Sequence, residues 1–182
     1  MNNLNLLKGS ALVYTLVKTL TKKRPDVQIG KTVVQKMMYL LEKELGYDFD
    51  FSMYHYGPFS AEVSGYLNFA ESVGIIDMTW DPQRGYFIKP KSKKKIKEII
   101  EAFEESLDKK DKKTINKIVD KYGKLNPIAI KLSIIATALY AKDNFNVKKS
   151  ELINVVKSLK PEYSDNYIKE TLKEATLFNE PH

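Results

Sequence analysis

The sequence predicts a mainly helical fold with one small β-hairpin, and three observations lead to this prediction. Apolar residues recur at helical spacing through most of the 182 residues. Gly, Pro and Ser residues fall where these amphipathic segments should begin and end. Two short apolar runs flank residues 81–85, whose composition is typical of a hairpin turn. A hydrophobic content of 43% is enough to build a core.

Two amphipathic helices are predicted in the first 45 residues. The first covers residues 4–23 and ends before Pro25, which cannot continue a helix. A short extended piece, residues 27–29, leads to the second helix, residues 31–45, and Gly46 favours its C-terminal end. The apolar stripe of this second helix consists of Val34, Met37, Met38, Leu41 and Leu45.

An aromatic segment, residues 48–56, separates the second predicted helix from the third. Polar and apolar residues alternate in it, which is typical of a strand or an extended arm. Gly57 and Pro58 are expected to break this segment. Ser60 is a favourable N-cap for a third helix that ends near Val73.

A β-hairpin is predicted next, with strands at residues 75–80 and 86–89. The order helix, short strand, helix, helix, hairpin is that of a winged helix-turn-helix, in which the hairpin is the wing. We therefore predict that residues 1–90 form a winged-helix-like domain, with the aromatic segment as an insertion.

Two further segments follow the wing. Residues 91–125 are predicted as a basic, amphipathic helical connector, in which the fully charged stretch 108–113 is a loop or an exposed helical turn. Residues 126–182 are predicted as a C-terminal helical unit that resembles a helix-turn-helix. Within this unit, residues 128–141 are apolar almost all round, which predicts a buried helix.

The composition excludes several kinds of functional site. The chain has no Cys, so it has no disulfide, no Cys nucleophile and no Cys-based metal site. Its two histidines are His55 and His182, which argues against a His-based metal site. The sequence contains no phosphate-binding loop, dinucleotide-binding glycine motif, zinc-protease motif or serine-hydrolase motif. We therefore expect no enzymatic activity, no cofactor and no metal.

The charge of the chain points to an anionic partner. The formal net charge is +7, and all basic residues except Arg24 and Arg84 are lysines. Most of the excess lies in residues 91–182. A basic balance permits nucleic-acid binding. No leader and no membrane span is predicted, so we expect a cytoplasmic protein without a membrane partner.

Basic residues around the predicted wing are the main candidates for DNA contact. Arg84 lies at the wing tip, and six lysines follow within residues 89–97, where they contact phosphates or form a solvated linker. The third predicted helix has no outward basic residue, although Asn68 is able to contact adenine. The candidate DNA-binding residues are Lys31, Lys36, Asn68, Arg84, Lys89, Lys91, Lys93, Lys94, Lys95, Lys97, Lys169 and Lys173.

The most distinctive sequence is Tyr54-His55-Tyr56-Gly57-Pro58-Phe59-Ser60, which follows Gln35-Lys36-Met37-Met38-Tyr39-Leu40-Leu41 in the second predicted helix. Together they resemble the winged-helix-like YwgA proteins and the Panacea domains related to SocA-type antitoxins, over about residues 31–76. The resemblance implies a winged-helix-like fold and a DNA-binding-like or antitoxin-like role. Phe59 departs from the Panacea pattern, which usually has an aliphatic residue at that position.

These observations predict a DNA-binding protein, a transcriptional regulator that contacts phosphates through the wing and the adjacent lysines. The alternative is a protein-interaction module, antitoxin-like or an adaptor, that uses an exposed aromatic arm. The candidate partner-binding residues are Phe49, Phe51, Tyr54, His55, Tyr56 and Phe59. A purely structural role of the same segment, in which Ser60 caps a helix and the aromatic rings pack onto it, is also open. A homodimer is a further expectation.

Overall fold

The computed structural model describes residues 5–91 and 96–177, and this part of the chain is mainly helical, as predicted. Its strands form two antiparallel pairs, β1 (Ser52–Tyr54) with β2 (Gly57–Phe59) and β3 (Ile76–Asp81) with β4 (Gly85–Pro90). The helices are α1 (Leu6–Lys23), α2 (Lys31–Leu45), α3 (Ala61–Ser72), α4 (Lys97–Glu105), α5 (Lys109–Tyr122), α6 (Ile128–Asn144), α7 (Leu152–Leu159) and α8 (Asp165–Glu174). None of these helices combines the length and apolarity that crossing a membrane requires.

The start of α3 and the β3–β4 hairpin lie where the sequence places them. Ser60 is the N-cap of α3, and its Oγ accepts a hydrogen bond from the Val63 N–H at 3.1 Å. The strands β3 and β4 form the predicted hairpin. The extended residues 27–29 lie beside β4, where the Ile88 N–H donates to the Ile29 carbonyl at 2.8 Å.

The aromatic segment is predicted as a strand or an extended arm that Gly57 and Pro58 break, and the structure differs at these two residues. Both residues belong to β2, which pairs with β1, and the chain reverses at His55 and Tyr56. Gly57 has φ +95°, which suits glycine and lets the chain enter β2 directly after the turn. Pro58 is tolerated because a two-stranded pair has only edge strands.

Residues 109–113 of the charged stretch begin a helix, and the whole stretch except Asp111 is exposed, so the exposed helical turn is confirmed and the loop is not. Asp108 caps α5, which starts at Lys109, and Asp111 completes a capping box with Asp108. The Asp111 side chain is fully buried, and Lys8 on α1 lies 3.1 Å from its Oδ2. A charged stretch is therefore helical here because partners from distant parts of the chain surround one of its carboxylates.

One continuous core joins helices from all three predicted segments. The helix α1 packs against α3 and α5, whereas α2 packs against α5 and α6. The helix α6 also contacts β2, α7 and α8, and its side chains at Leu132, Ile134 and Ile135 are fully buried. The predicted buried helix at residues 128–141 is thus confirmed.

Candidate nucleic-acid interface

A groove of about 520 Å³ lies between the tip of the β3–β4 wing, the start of α2 and residues 126–129. We call it the wing groove. Its lining includes the side chains of Arg24, Asp26, Gln28, Lys31, Trp80, Arg84 and Tyr86. Gln28 fixes one wall, because its Nε2 donates to the carbonyls of Arg84 at 2.7 Å and Tyr86 at 3.0 Å.

Two cations of the wing groove have no carboxylate partner among the described residues. The Lys31 Nζ lies 4.0 Å from the centre of the Tyr86 ring, and the Arg84 guanidinium lies 4.8 Å from the centre of the Phe87 ring. Arg24, by contrast, donates to Asp26 at 2.9 and 2.7 Å. The hydrogen bonds from the Arg24 guanidinium lower the pKa of the Asp26 carboxyl, so that pair is neutral overall. Lys31 and Arg84 therefore leave the groove positively charged.

The N-terminal end of α2 opens into the same groove. Its N-cap is Gly30, which has no side chain to cap the helix, and the first turn contains no acidic residue. The first N–H groups of a helix lack partners within the helix, and the helix dipole makes that end positive. The residues Lys31, Thr32 and Val33 therefore add to the attraction that this groove has for an anion.

An exposed aromatic surface forms the outer wall of the wing groove. Trp80 is 62% exposed, and its ring centre lies 4.9 Å from that of Tyr86, its cross-strand partner. Such a surface suits stacking on a base or a sugar. Trp80 and Tyr86 are not among the site residues predicted from the sequence. The available signal was the hairpin register, which pairs two aromatic residues beside the turn that carries Arg84.

The lysine run 89–97 is only partly within the described residues. Lys89 is exposed on β4. The Lys91 Nζ lies 3.2 Å from Asp77, and the Lys97 Nζ lies 3.4 Å from Glu101. Two described lysines of the run thus have acidic neighbours. The candidates Lys93, Lys94 and Lys95 lie outside the described residues.

Lys36 does not lie on the DNA-facing surface that its selection requires. Its side chain is 3% exposed, and its Nζ donates to the Pro58 carbonyl at 2.8 Å. The β1–β2 hairpin covers this side of α2, so a DNA phosphate cannot reach the ammonium group. The prediction that Lys36 contacts DNA is therefore corrected: Lys36 ties α2 to β2.

Burial, followed by repulsion from Lys160, lowers the pKa of Lys36 from 10.5 to about 8. Below that pKa Lys36 is charged in both the folded and the unfolded state, and the folded state carries the cost of burying the charge. Above 10.5 it is neutral in both states, so the cost is gone. As the pH rises from 8 to 10.5, the wild type is expected to gain about 3 kcal/mol of stability relative to Lys36→Met.

The measurement is urea unfolding of the wild type and of Lys36→Met between about pH 7 and about pH 10.5. The variant keeps an apolar stem of similar length. Lys109→Met, at an exposed lysine, is the control. Its free energy of unfolding should differ from that of the wild type by the same amount at every pH. A difference between the wild type and Lys36→Met that stays constant across the same range would contradict the prediction.

The candidates on α3 and α8 differ in their surroundings. Asn68 is exposed on α3, but Glu62 and Glu71 are exposed on the same helix, so phosphates would meet like charges there. On α8, Lys169 is exposed, whereas the Lys173 Nζ lies 3.1 Å from Glu170. The structure brings none of these residues into the wing groove.

Two residues of the predicted aromatic arm belong to the core instead. Phe49 is fully buried, and its ring centre lies 6.1 Å from that of Tyr66 on α3. Phe51 is half-buried, and its ring centre lies 5.2 Å from that of Tyr39 on α2. Their selection as partner-binding residues is therefore corrected, because the alternation turns these two rings inward.

The β1–β2 hairpin keeps the other aromatic candidates near its surface. Tyr54 is 69% and Tyr56 is 65% exposed. His55 is also exposed and packs edge-on against Tyr56, with ring centres 4.8 Å apart. Phe59 is 37% exposed and lies beside Tyr54, with ring centres 5.7 Å apart.

Two polar residues of the distinctive motif, Gln35 and Ser60, hydrogen-bond to each other. The Ser60 N–H donates to Gln35 Oε1 at 3.0 Å, and Gln35 Nε2 donates to the Ser60 carbonyl at 2.9 Å. The Ser60 hydroxyl also donates to the Phe49 carbonyl. All three residues are buried, so these contacts fix the start of α3 against α2. A structural role thus accounts for Gln35 and Ser60.

Comparison with known proteins finds no family model and no curated protein that matches this chain. The resemblance to the YwgA-like and Panacea families therefore stays a prediction.

Proposed function

We propose that this protein binds DNA through the wing groove, with Lys31 and Arg84 on the phosphates. The observation that carries the proposal is that two unpaired cations, the uncapped start of α2 and the exposed Trp80 ring meet in one groove. Each of these features alone is common on protein surfaces. Their combination is what a sugar–phosphate chain requires, because it offers charge and hydrogen bonds for phosphates beside a flat apolar surface.

The same features predict how such binding behaves. Lys31 supplies a point charge, and Arg84 is the single arginine of the wing. The outward face of α3 carries Glu62 and Glu71, so base reading by that helix is disfavoured. We therefore expect binding that depends strongly on salt and weakly on base sequence.

The arrangement of elements supports a winged-helix protein with a regulatory role. The extended residues 27–29 lie beside β4, and α3 precedes the wing, which is the order of a winged helix-turn-helix. Transcription regulation is the role proposed for such a module. The cytoplasmic location stays a prediction.

A titration of labelled DNA tests the proposal. Arg84→Ala and Lys31→Ala are each expected to weaken binding several-fold and to lower the slope of log K against log salt by about 0.9. The measurement is fluorescence anisotropy with a duplex and with its separated strands, each at several salt concentrations. Trp80→Ala should weaken binding to the separated strands more than to the duplex, because only unpaired bases stack freely.

Lys109→Ala is the matched control. It removes one positive charge at the first residue of α5, which does not line the wing groove. It should change the salt slope much less than Arg84→Ala does. Equal losses in Lys109→Ala and Arg84→Ala would show that net charge alone governs binding and would overturn the assignment of the groove. The absence of binding at low salt would overturn the proposed function itself.

A protein-interaction module is the second candidate function, and the exposure of Tyr54 and Tyr56 favours it. Tyr54→Ala belongs in the same titration, where it should bind DNA as the wild type does. Loss of DNA binding in Tyr54→Ala but not in Arg84→Ala would move the interface to the β1–β2 hairpin. The predicted homodimer stays a prediction.

A further inference from the structure

A second cleft, of about 250 Å³, lies between the β1–β2 hairpin, α6 and the C-terminal end of α7. We call it the hairpin cleft. Its walls include His55 and Gly57 from the hairpin, Thr137 from α6, and Ser158 and Lys160 from the end of α7. It shares no lining residue with the wing groove, so ligand binding in the hairpin cleft is independent of the proposed function.

Lys160 is buried in the wall of this cleft without a counter-charge. The residue is 2% exposed, and no hydrogen bond or ion pair joins its ammonium group to another residue of the described ranges. Burial lowers the pKa of Lys160, and the exposed Glu162 compensates only in part. A largely buried ammonium group without a counter-charge is costly, so an anion bound in the cleft would stabilise Lys160.

A second buried cation and an unsatisfied hydroxyl lie next to Gly57. A Cβ placed on Gly57 would lie 2.7 Å from Thr137 Oγ1 and 3.4 Å from Lys36 Cε, so both side chains converge on this glycine. The Thr137 hydroxyl is buried and has no hydrogen-bond partner. Lys36 repels Lys160, and neither forms an ion pair within the described part of the chain.

The donors of the hairpin cleft indicate which ligand it suits. Lys160 and Thr137 each have hydrogens to donate, whereas the Ser158 hydroxyl already donates to the Val155 carbonyl at 2.8 Å. The exposed His55 ring stands at the mouth. Two cations close together favour a ligand with more than one negative charge. A volume of 250 Å³ is about eight times the ~30 Å³ of one water, so a phosphate group with a substituent fits.

We propose that the hairpin cleft binds the phosphate group of a small molecule, which Lys160 and Thr137 hold by direct hydrogen bonds. Lys36 supports the same group by its charge from below Gly57. Gly57 keeps the approach open, because any side chain there would fill the space next to Thr137. Free phosphate and a phosphate ester share this chemistry.

Isothermal titration calorimetry tests the proposal, with inorganic phosphate, adenosine 5′-monophosphate and adenosine as the probes. At least one of the two phosphate probes should bind, and adenosine should not. Tighter binding of the nucleotide than of phosphate identifies an ester as the ligand, and the reverse identifies free phosphate. Absence of binding by both phosphate probes, or an equal response to sodium chloride of the same ionic strength, would overturn the proposal.

The variant Lys160→Met should weaken the binding of phosphate about tenfold or more, because it removes a charge-assisted hydrogen bond. The variant should fold, since it replaces a buried charge by an apolar chain of similar length. Lys169→Met, at an exposed lysine of α8, is the control and should bind phosphate as the wild type does. Equal affinities in Lys160→Met and the wild type would place the anion elsewhere and overturn the assignment.

Discussion

Replacing Asp111 with Ala is expected to lower the free energy of unfolding by about 3–5 kcal/mol, a loss typical of breaking a buried ion pair. The Asp111 carboxylate is fully buried and is held by three groups. The Tyr47 hydroxyl donates to Oδ1 at 2.7 Å, the Asp108 N–H donates to Oδ2 at 3.1 Å, and Lys8 Nζ lies 3.1 Å from Oδ2. Alanine removes this acceptor from all three groups, and Lys8 keeps only the Asp108 carboxylate, 3.9 Å away.

The expected effect is large because Asp111 joins parts of the chain that are far apart in sequence. Lys8 belongs to α1, Tyr47 follows α2, and Asp111 lies in the first turn of α5. Removing the buried carboxylate leaves the partly buried ammonium group of Lys8 with only the more distant Asp108 Oδ2, 3.9 Å away, as its counter-charge. The loss is therefore one of packing between helices as well as of a helix cap.

Urea unfolding measures the effect, and Asp120→Ala is the matched control on the same helix. Asp120 pairs with Lys23 at 2.6 Å, but its side chain is 65% exposed, so its removal should cost less than about 1 kcal/mol. Similar losses in the two variants would contradict the prediction. The double variant Lys8→Met/Asp111→Ala should be less destabilised than the sum of its single changes, because no lone charge remains.

Local sequence rules predict the elements of this fold well and their partners poorly. Periodicity and end signals are enough to predict α1, α2, α3 and the β3–β4 hairpin, since Pro25, Gly46 and Ser60 act within a few residues of themselves. The stretch 108–113 is an exposed helical turn, as one of the two predicted alternatives has it, except at Asp111. Its composition indicates solvent exposure, whereas Lys8 and Tyr47, more than sixty residues away in sequence, make a buried carboxylate possible there.

The helix α2 shows the same limit in the candidate site. Its apolar stripe is buried as predicted, but Gln35, Lys36 and Tyr39 on its other side are buried as well. An amphipathic pattern predicts one buried face, and here the β1–β2 hairpin and α6 cover a second. The pattern of α2 alone therefore predicts that the Lys36 side chain is exposed and able to contact DNA. The wing groove could not be predicted from local sequence either, because it depends on hydrogen bonds between Gln28 and the β3–β4 hairpin.

The variant Gly57→Ala is expected to destabilise the protein by about 4 kcal/mol, from two separate causes. Gly57 has φ +95°, a conformation that costs an alanine about 1–3 kcal/mol. The new methyl group would also lie 2.7 Å from Thr137 Oγ1, and overpacking of this kind costs about 1–3 kcal/mol. The β1–β2 hairpin cannot simply move away, because Ser133 on α6 donates to the Tyr56 carbonyl at 2.7 Å.

Gly46→Ala separates the two causes. Gly46 has φ +74°, and a Cβ there meets nothing within 4 Å, so this variant carries backbone strain alone and should lose about 1 kcal/mol. In urea unfolding, Gly57→Ala should therefore be the more destabilised of the two. In a Thr137→Ala background its cost should fall towards that of Gly46→Ala, because the hydroxyl that crowds the methyl group is gone. An unchanged cost in that background would show that backbone strain, and not contact with α6, requires glycine at this turn.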